Sequence, residues 1–149
     1  MALRIVQFCA VILTALALVP GGAHLFVLLN KIDLAAEPYF VVQSIYRGWN
    51  LFAFVLIPAV IVNFVLAFMV RPHALASAMA FLTGVCMAST LVVFFIWVEP
   101  ANRATDYWTM VPANWELLRR QWEYGHAANA VVTFIALCAV TWSVLASRE

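Results

Sequence analysis

The side chains best suited to chemistry are two histidines, His24 and His126, and two arginines, Arg47 and Arg119. Imidazole moves protons near neutrality, and guanidinium holds anions. Trp115, Arg119, Trp122, His126, Asn129 and Thr133 follow one another in steps of four, three, four, three and four. That spacing puts them on one face of a helix. Gln43, Arg47, Asn50 and Phe54 make a matching stripe in an earlier segment. Arg47 could reach Glu99 or Glu123, or bind a substrate anion. His24 lies near the end of the first apolar run, on the same side of the molecule as His126. Two converging histidines with Glu37, Glu99, Asp106 and Glu123 nearby could act as acid and base, or bind a metal. No metal spacing such as His-Glu-x-x-His is present. No cofactor is therefore expected; a metal or haem held by His24 and His126 is the alternative. The other reading of both stripes is an interhelical hydrogen-bond seam that only holds helices together.

The elements that must position these groups are helices in lipid. The chain has 149 residues, 66% apolar and only 10% charged. Soluble domains run at roughly 45–50% apolar and about 25% charged. A chain this short cannot hide so much apolar surface from water. Apolar stretches at about residues 5–29, 44–70, 74–98 and 118–146 are each long enough to cross a bilayer. Each must be helical, because in hydrocarbon the backbone groups have to be paired within the segment. The expected fold is all-α: one domain, an integral membrane antiparallel four-helix bundle with two structured loops at one end. The first stretch is read as an uncleaved anchor, being too long for a signal peptide. Pro20-Gly21-Gly22 should loosen the first helix and Pro58 should kink the second. Arg71-Pro72 makes the sharp turn between the second and third. Asn114 is the expected N-cap of the fourth helix, which should project about three turns above the apolar slab.

Polar chemistry is concentrated at one end. Arg4, Arg71, Arg148 and Glu149 fall at the end with the termini. The loop end holds the other charges, every tyrosine, and all tryptophans but Trp142. Glu116 with Arg120, and Arg119 with Glu123, are spaced for intrahelical ion pairs. Lys and Arg number three at the terminal end and five at the loop end, which favours a cytoplasmic loop end. Arg4 beside the first span, and loop-end arginines committed to carboxylates, favour cytoplasmic termini. The reading adopted is a multi-pass cell-membrane protein with cytoplasmic termini.

Composition also excludes functions. A net charge of +1 gives no footprint for nucleic acid. Cys9, Cys86 and Cys138 stand alone inside spans and read as packing residues; thiol oxidation would need a pair near an interface. A channel or transporter is disfavoured: four spans would need an oligomer, which is possible, and polarity fades beyond Thr133. The expected partners are the lipid bilayer and a small hydrophobic or aromatic substrate.

The segment from Pro100 to His126, with Pro100-x-Asn102 after the third span and then spaced tryptophans and an arginine, resembles the small four-span membrane proteins grouped with the fungal anthrone oxygenases. Asn102, Trp115, Arg119 and Trp122 are the family-like positions. The resemblance implies cofactor-independent oxygenation of an activated aromatic substrate. His126 would be the base, with His24 beside it and Arg47 or Arg119 stabilising the anion. Trp115, Trp122, Asn102, Asn129, Tyr46 and Asn50 would contact the substrate. The alternative is a non-catalytic accessory or lipid-binding protein with a structural polar seam.

Overall fold

The computed structural model describes residues 1–147; Arg148 and Glu149, read above as terminal charges, lie outside the described residues. Every regular element among the described residues is helical. Four are long helices, α1 (Ala2–Lys31), α3 (Ala53–Met69), α4 (Ala74–Val93) and α6 (Trp115–Ala146). Two are short, α2 (Ala36–Gln43) and α5 (Glu99–Ala104). The long helices close a ring: α1 packs on α3 and α6, and α4 packs on the same two. With their flanking turns, all four are long and apolar enough to cross a membrane.

Small residues make the close packing possible. Ala10, Ala17, Ala59, Ala67, Ala76, Ala80, Ala136 and Ala139 are buried, while Phe8, Phe26, Phe54 and Phe68 face outward. This inverts a soluble bundle, and small residues at the seams are how helices approach in lipid. Side-chain bonds to neighbouring helices add to it. Asn63 Nδ2 donates to Thr14 Oγ1 at 3.1 Å, Asn129 Nδ2 to the Thr90 carbonyl at 3.1 Å, and Ser143 Oγ to the Ala76 carbonyl at 2.7 Å.

Several elements depart from the sequence reading. α1 runs unbroken through Pro20-Gly21-Gly22. There a Cβ on Gly21 would lie 3.2 Å from Ala130 Cα, so the glycine serves close packing on α6. The segment at 30–43 is not only loop, since it contains α2. The second apolar helix begins at Trp49, not Ser44. Gly48 adopts a left-handed φ of 85° and separates two 3₁₀ turns, Ser44–Tyr46 and Trp49–Phe52. The helical stripe Gln43–Arg47–Asn50–Phe54 therefore does not exist. The third helix runs on past Val98 through a π-helical turn, Phe94–Val98, into α5. Gln121 Nε2 donates to the Trp97 carbonyl within that turn at 2.7 Å. Asn114 is the N-cap of α6, but its side chain makes no capping bond.

Gly125 of α6 faces the π-helical turn. A Cβ there would lie 2.8 Å from Cγ2 of Val98, a buried, β-branched neighbour. Overpacking costs about 1–3 kcal/mol, and better helix propensity returns about 1 kcal/mol. Gly125→Ala should therefore lower the unfolding midpoint in detergent micelles, and adding Val98→Ala should restore it. An unchanged midpoint in the single variant would show that the contact is slack.

Candidate functional site

The loop-end site is built on a buried ion pair. Lys31, the last residue of α1 and the only lysine in the chain, places Nζ 2.7 Å from Glu123 Oε1 of α6. The two side chains are 5% and 0% exposed. Taking two charges from water costs several kcal/mol per ion unless their other hydrogen-bonding capacity is met. Lys31 Nζ also donates to Tyr46 Oη at 3.2 Å and to Gln43 Oε1 at 3.4 Å, so all three ammonium protons have acceptors. The ammonium lies 4.7 Å from the Tyr46 ring centroid and 4.8 Å from that of Trp122. Its place at the carbonyl end of α1 adds the attraction of the helix dipole.

α2 closes this network. Tyr39 Oη donates to Glu123 Oε1 at 3.0 Å and accepts from Gln43 Nε2 at 2.6 Å. Lys31, Gln43, Tyr39 and Glu123 thus form a ring of hydrogen bonds. Burial, and then the Glu123 carboxylate, push the Tyr39 hydroxyl well above the usual tyrosine range. The same two causes push Tyr46 up to about 12. Both hydroxyls keep their protons: Tyr39 donates its proton to Glu123, while Tyr46 accepts from Lys31.

The histidines lie against this ring. His24 precedes Lys31 by two helical turns, and His126 follows Glu123 by one, so each sits on the face of its charged neighbour. Their rings stack with centroids 4.2 Å apart and planes 20° apart. Trp122 meets His126 edge-on at 4.3 Å and His24 at 4.9 Å. Tyr46 lies 4.5 Å from His24, and Trp49, 39% exposed, lies 5.8 Å away on the outer side. Five buried polar atoms among the described residues have no hydrogen-bond partner: His24 Nδ1, Glu123 Oε2, Arg119 Nε and Asn129 Oδ1 on this side, and Asn63 Oδ1 on α3.

The other candidates divide. Arg119 does not pair with Glu123. It is buried, donates through Nη1 to the Leu34 carbonyl, and stacks 4.6 Å from the Trp115 centroid. It clasps the link before α2. Arg47 and Asn50 are exposed on the turns around Gly48 and stand outside the cluster. Their expected place depended on the absent helical stripe. The ion pairs among the described residues are Lys31–Glu123 and Arg103–Glu99, so neither Arg47 nor the Glu116 and Arg120 pair engages as the spacing suggested. Asn102 does not offer its carbonyl to a substrate, because Oδ1 accepts from Trp108 Nε1 at 3.0 Å and Trp122 Nε1 at 2.8 Å. Asn129 lies a turn below His126 with its amide on Thr90.

Sequence reasoning left Lys31 and Tyr39 out of the site, and reached Gln43 only through a helical stripe that does not exist. One signal was available: a lone lysine closing an apolar run of this length needs a carboxylate partner. The cluster is also packed ring on ring and is not an open cup. An open hollow lies instead at the opposite end, lined by residues of α1 and α6 that include Arg4, Gln7 and Val144.

A metal does not fit the histidine pair. Metal bonds lie in the imidazole plane at about 2 Å, and stacked rings send their in-plane lone pairs along parallel lines that do not meet. Haem ligation likewise needs two ring edges facing across a macrocycle, where these two faces touch. No group of three or more His, Cys, Asp or Glu side chains among the described residues could hold a metal ion.

Comparison of the chain with models of protein families, with curated proteins and with solved structures finds no match.

The ring of hydrogen bonds yields a double-variant prediction. Lys31→Met strands a buried carboxylate and should cost about 3–5 kcal/mol of stability. Lys31→Met with Glu123→Leu removes both charges and should recover most of the loss. Chemical unfolding in micelles, followed by tryptophan fluorescence, measures both. Equal destabilisation of the single and double variants would show that the ion pair is not the organising element.

Proposed function

We propose that the chain is an integral cell-membrane protein, an antiparallel four-helix bundle crossing the bilayer four times. The apolar outer surface and the ring of small-residue seams support this reading. Arg4 beside the first span favours cytoplasmic termini. Among the cations, Lys31 and Arg103 are held by carboxylates and Arg119 by the Leu34 carbonyl, while Arg47 and Arg120 are exposed at the loop end as Arg4 and Arg71 are at the other.

We further propose that the loop end is an oxidoreductase site of the cofactor-free oxygenase kind, acting on a small hydrophobic aromatic substrate taken from lipid. The observation that carries this is the stacked His24–His126 pair, enclosed by Trp122, Tyr46 and Trp49 and set beside the Lys31–Glu123 pair. The resemblance of the 100–126 segment to anthrone oxygenases points the same way. His126 takes a proton from a ring methylene activated by flanking aromatic rings, with the His24 ring stacked on it. The carbanion passes electrons to O₂. The methylene becomes a carbonyl holding one oxygen atom, and the other leaves as water, so four electrons balance without an external reductant. Trp122 and Tyr46 already pack on the histidines, so a substrate ring reaches His126 by displacing Trp49, whose ring is 39% exposed. Trp115 lies further out, against Tyr39 and Phe40.

One observation favours a second reading, a non-catalytic accessory or lipid-binding protein. Lys31, Gln43 and Tyr39 find their partners among one another and Glu123, and Asn102 is spent on two indoles, as a structural seam requires. Oxygen uptake separates the two. Purified protein in detergent, given anthrone, should consume one O₂ per anthrone. His126→Ala should lose on the order of 100-fold or more in rate, with its unfolding midpoint kept. Uptake no faster than the detergent blank, or a His126→Ala chain that fails to fold, supports the structural seam instead. A Soret band or stoichiometric metal in the purified protein would replace the cofactor-free mechanism.

A further inference from the structure

We infer that Asn102 is a positioning residue that fixes the orientation of Trp122 and, through it, the stacked pair His24 and His126. Its part in turnover rests on the function proposed above; its part in geometry does not. An amide oxygen has two lone pairs, and both are used on indoles, Trp108 Nε1 at 3.0 Å and Trp122 Nε1 at 2.8 Å. The amide is aimed by Nδ2, which donates to Glu99 Oε2 at 3.4 Å. Glu99 is held in turn by Arg103 Nε at 2.9 Å and Tyr107 Oη at 3.3 Å.

The backbone bears strain to complete this arrangement. Asp106, Tyr107 and Trp108 have φ values of 46°, 52° and 67°, three successive non-glycine residues in the left-handed region. That region is disfavoured for any residue bearing a Cβ. The turn that carries them buries the Trp108 ring and brings its N–H to Asn102. Thr105 holds it from beneath, with Oγ1 accepting from the Trp108 backbone N–H at 3.1 Å.

Trp122 transmits the constraint. Its N–H is tied to Asn102, while its ring touches His126 and His24 and lies under the Lys31 ammonium. Without an acceptor the indole would leave a buried N–H unpaired, and it would turn to find another. Both imidazoles would lose the edge that packs against them.

The test uses full-length protein in detergent micelles, with ¹⁵N in the indoles and ¹³C in the imidazoles, observed by NMR. Trp108→Phe and Trp122→Phe assign the two indole signals. Both are expected downfield of exposed tryptophans. Asn102→Leu should move both, together with the imidazole signals of His24 and His126. Asn102→Asp combined with Glu99→Gln keeps an acceptor for the indoles, reverses the amide–carboxylate bond, and should restore all four. With anthrone as the probe, Asn102→Leu should lose about tenfold or more in kcat with a smaller change in KM, and the combined Asn102→Asp and Glu99→Gln variant should regain most of it. Should Asn102→Leu fail to fold, Asn102→Ser, too short to reach either indole, serves for the same comparison. Imidazole signals unmoved in Asn102→Leu or Asn102→Ser would overturn the inference. Absence of turnover in the unaltered protein would sink the proposed function, while the NMR shifts still decide the role of Asn102.

Discussion

A charge pair taken out of water at one end of an apolar bundle organises this molecule. Lys31 and Glu123 sit on different long helices, and their contact fixes the end of α1 against the first part of α6. The cost of hiding them is what calls in the rest. Three acceptors are needed around one ammonium, and α1 and α6 supply only one of them. α2 and the turn after it bring Gln43 and Tyr46, and Tyr39 covers the carboxylate. The stretch between α1 and α3 is therefore ordered by an electrostatic demand more than by its own helix propensity, since a helix of eight residues is marginal alone.

The architecture was legible wherever it followed from solvent preference. Four apolar runs, a short turn at Arg71-Pro72, and polar groups gathered at one end can all be read from apolar patterning and turn residues alone. The α6 stripe was legible as well, because three-and-four spacing over many residues has few other meanings. The region 30–52 was not. Its helical stripe had the right spacing, but Gly48 in a left-handed conformation breaks the chain there, and a single glycine does not announce its φ. Arg47 and Asn50 were misplaced for that reason.

Partner choice was the other thing hidden. Arg119 and Glu123 are spaced to pair along one helix, yet each finds a better partner from α1 or the link after it. Intrahelical ion pairs are worth only tenths of a kcal/mol, so a tertiary contact that also satisfies a buried charge displaces them. Asn102 shows the same effect. Its position was recognisable as distinctive, but that its carbonyl serves two indoles from a turn and a helix depends on three unusual backbone torsions. The histidines occupy the border between these layers: ion pair on one side, indole on another, and below them the sparse polar seam of Asn129 and Thr90.

The π-helical turn at Phe94–Val98 has a wider consequence. A wider turn fits one more residue into the same full rotation, whereas each residue of an α-helix carries about 100°. Everything downstream on that rod, Glu99, Ala101 and Asn102 included, is clocked by that single extra residue. Tightening the turn to α-helix with all five of its residues kept would leave composition, length and hydropathy unchanged. It would also swing the amide about 100° around the rod, away from both indoles. The azimuth of the site is thus written in a counting irregularity, where no individual side chain records it.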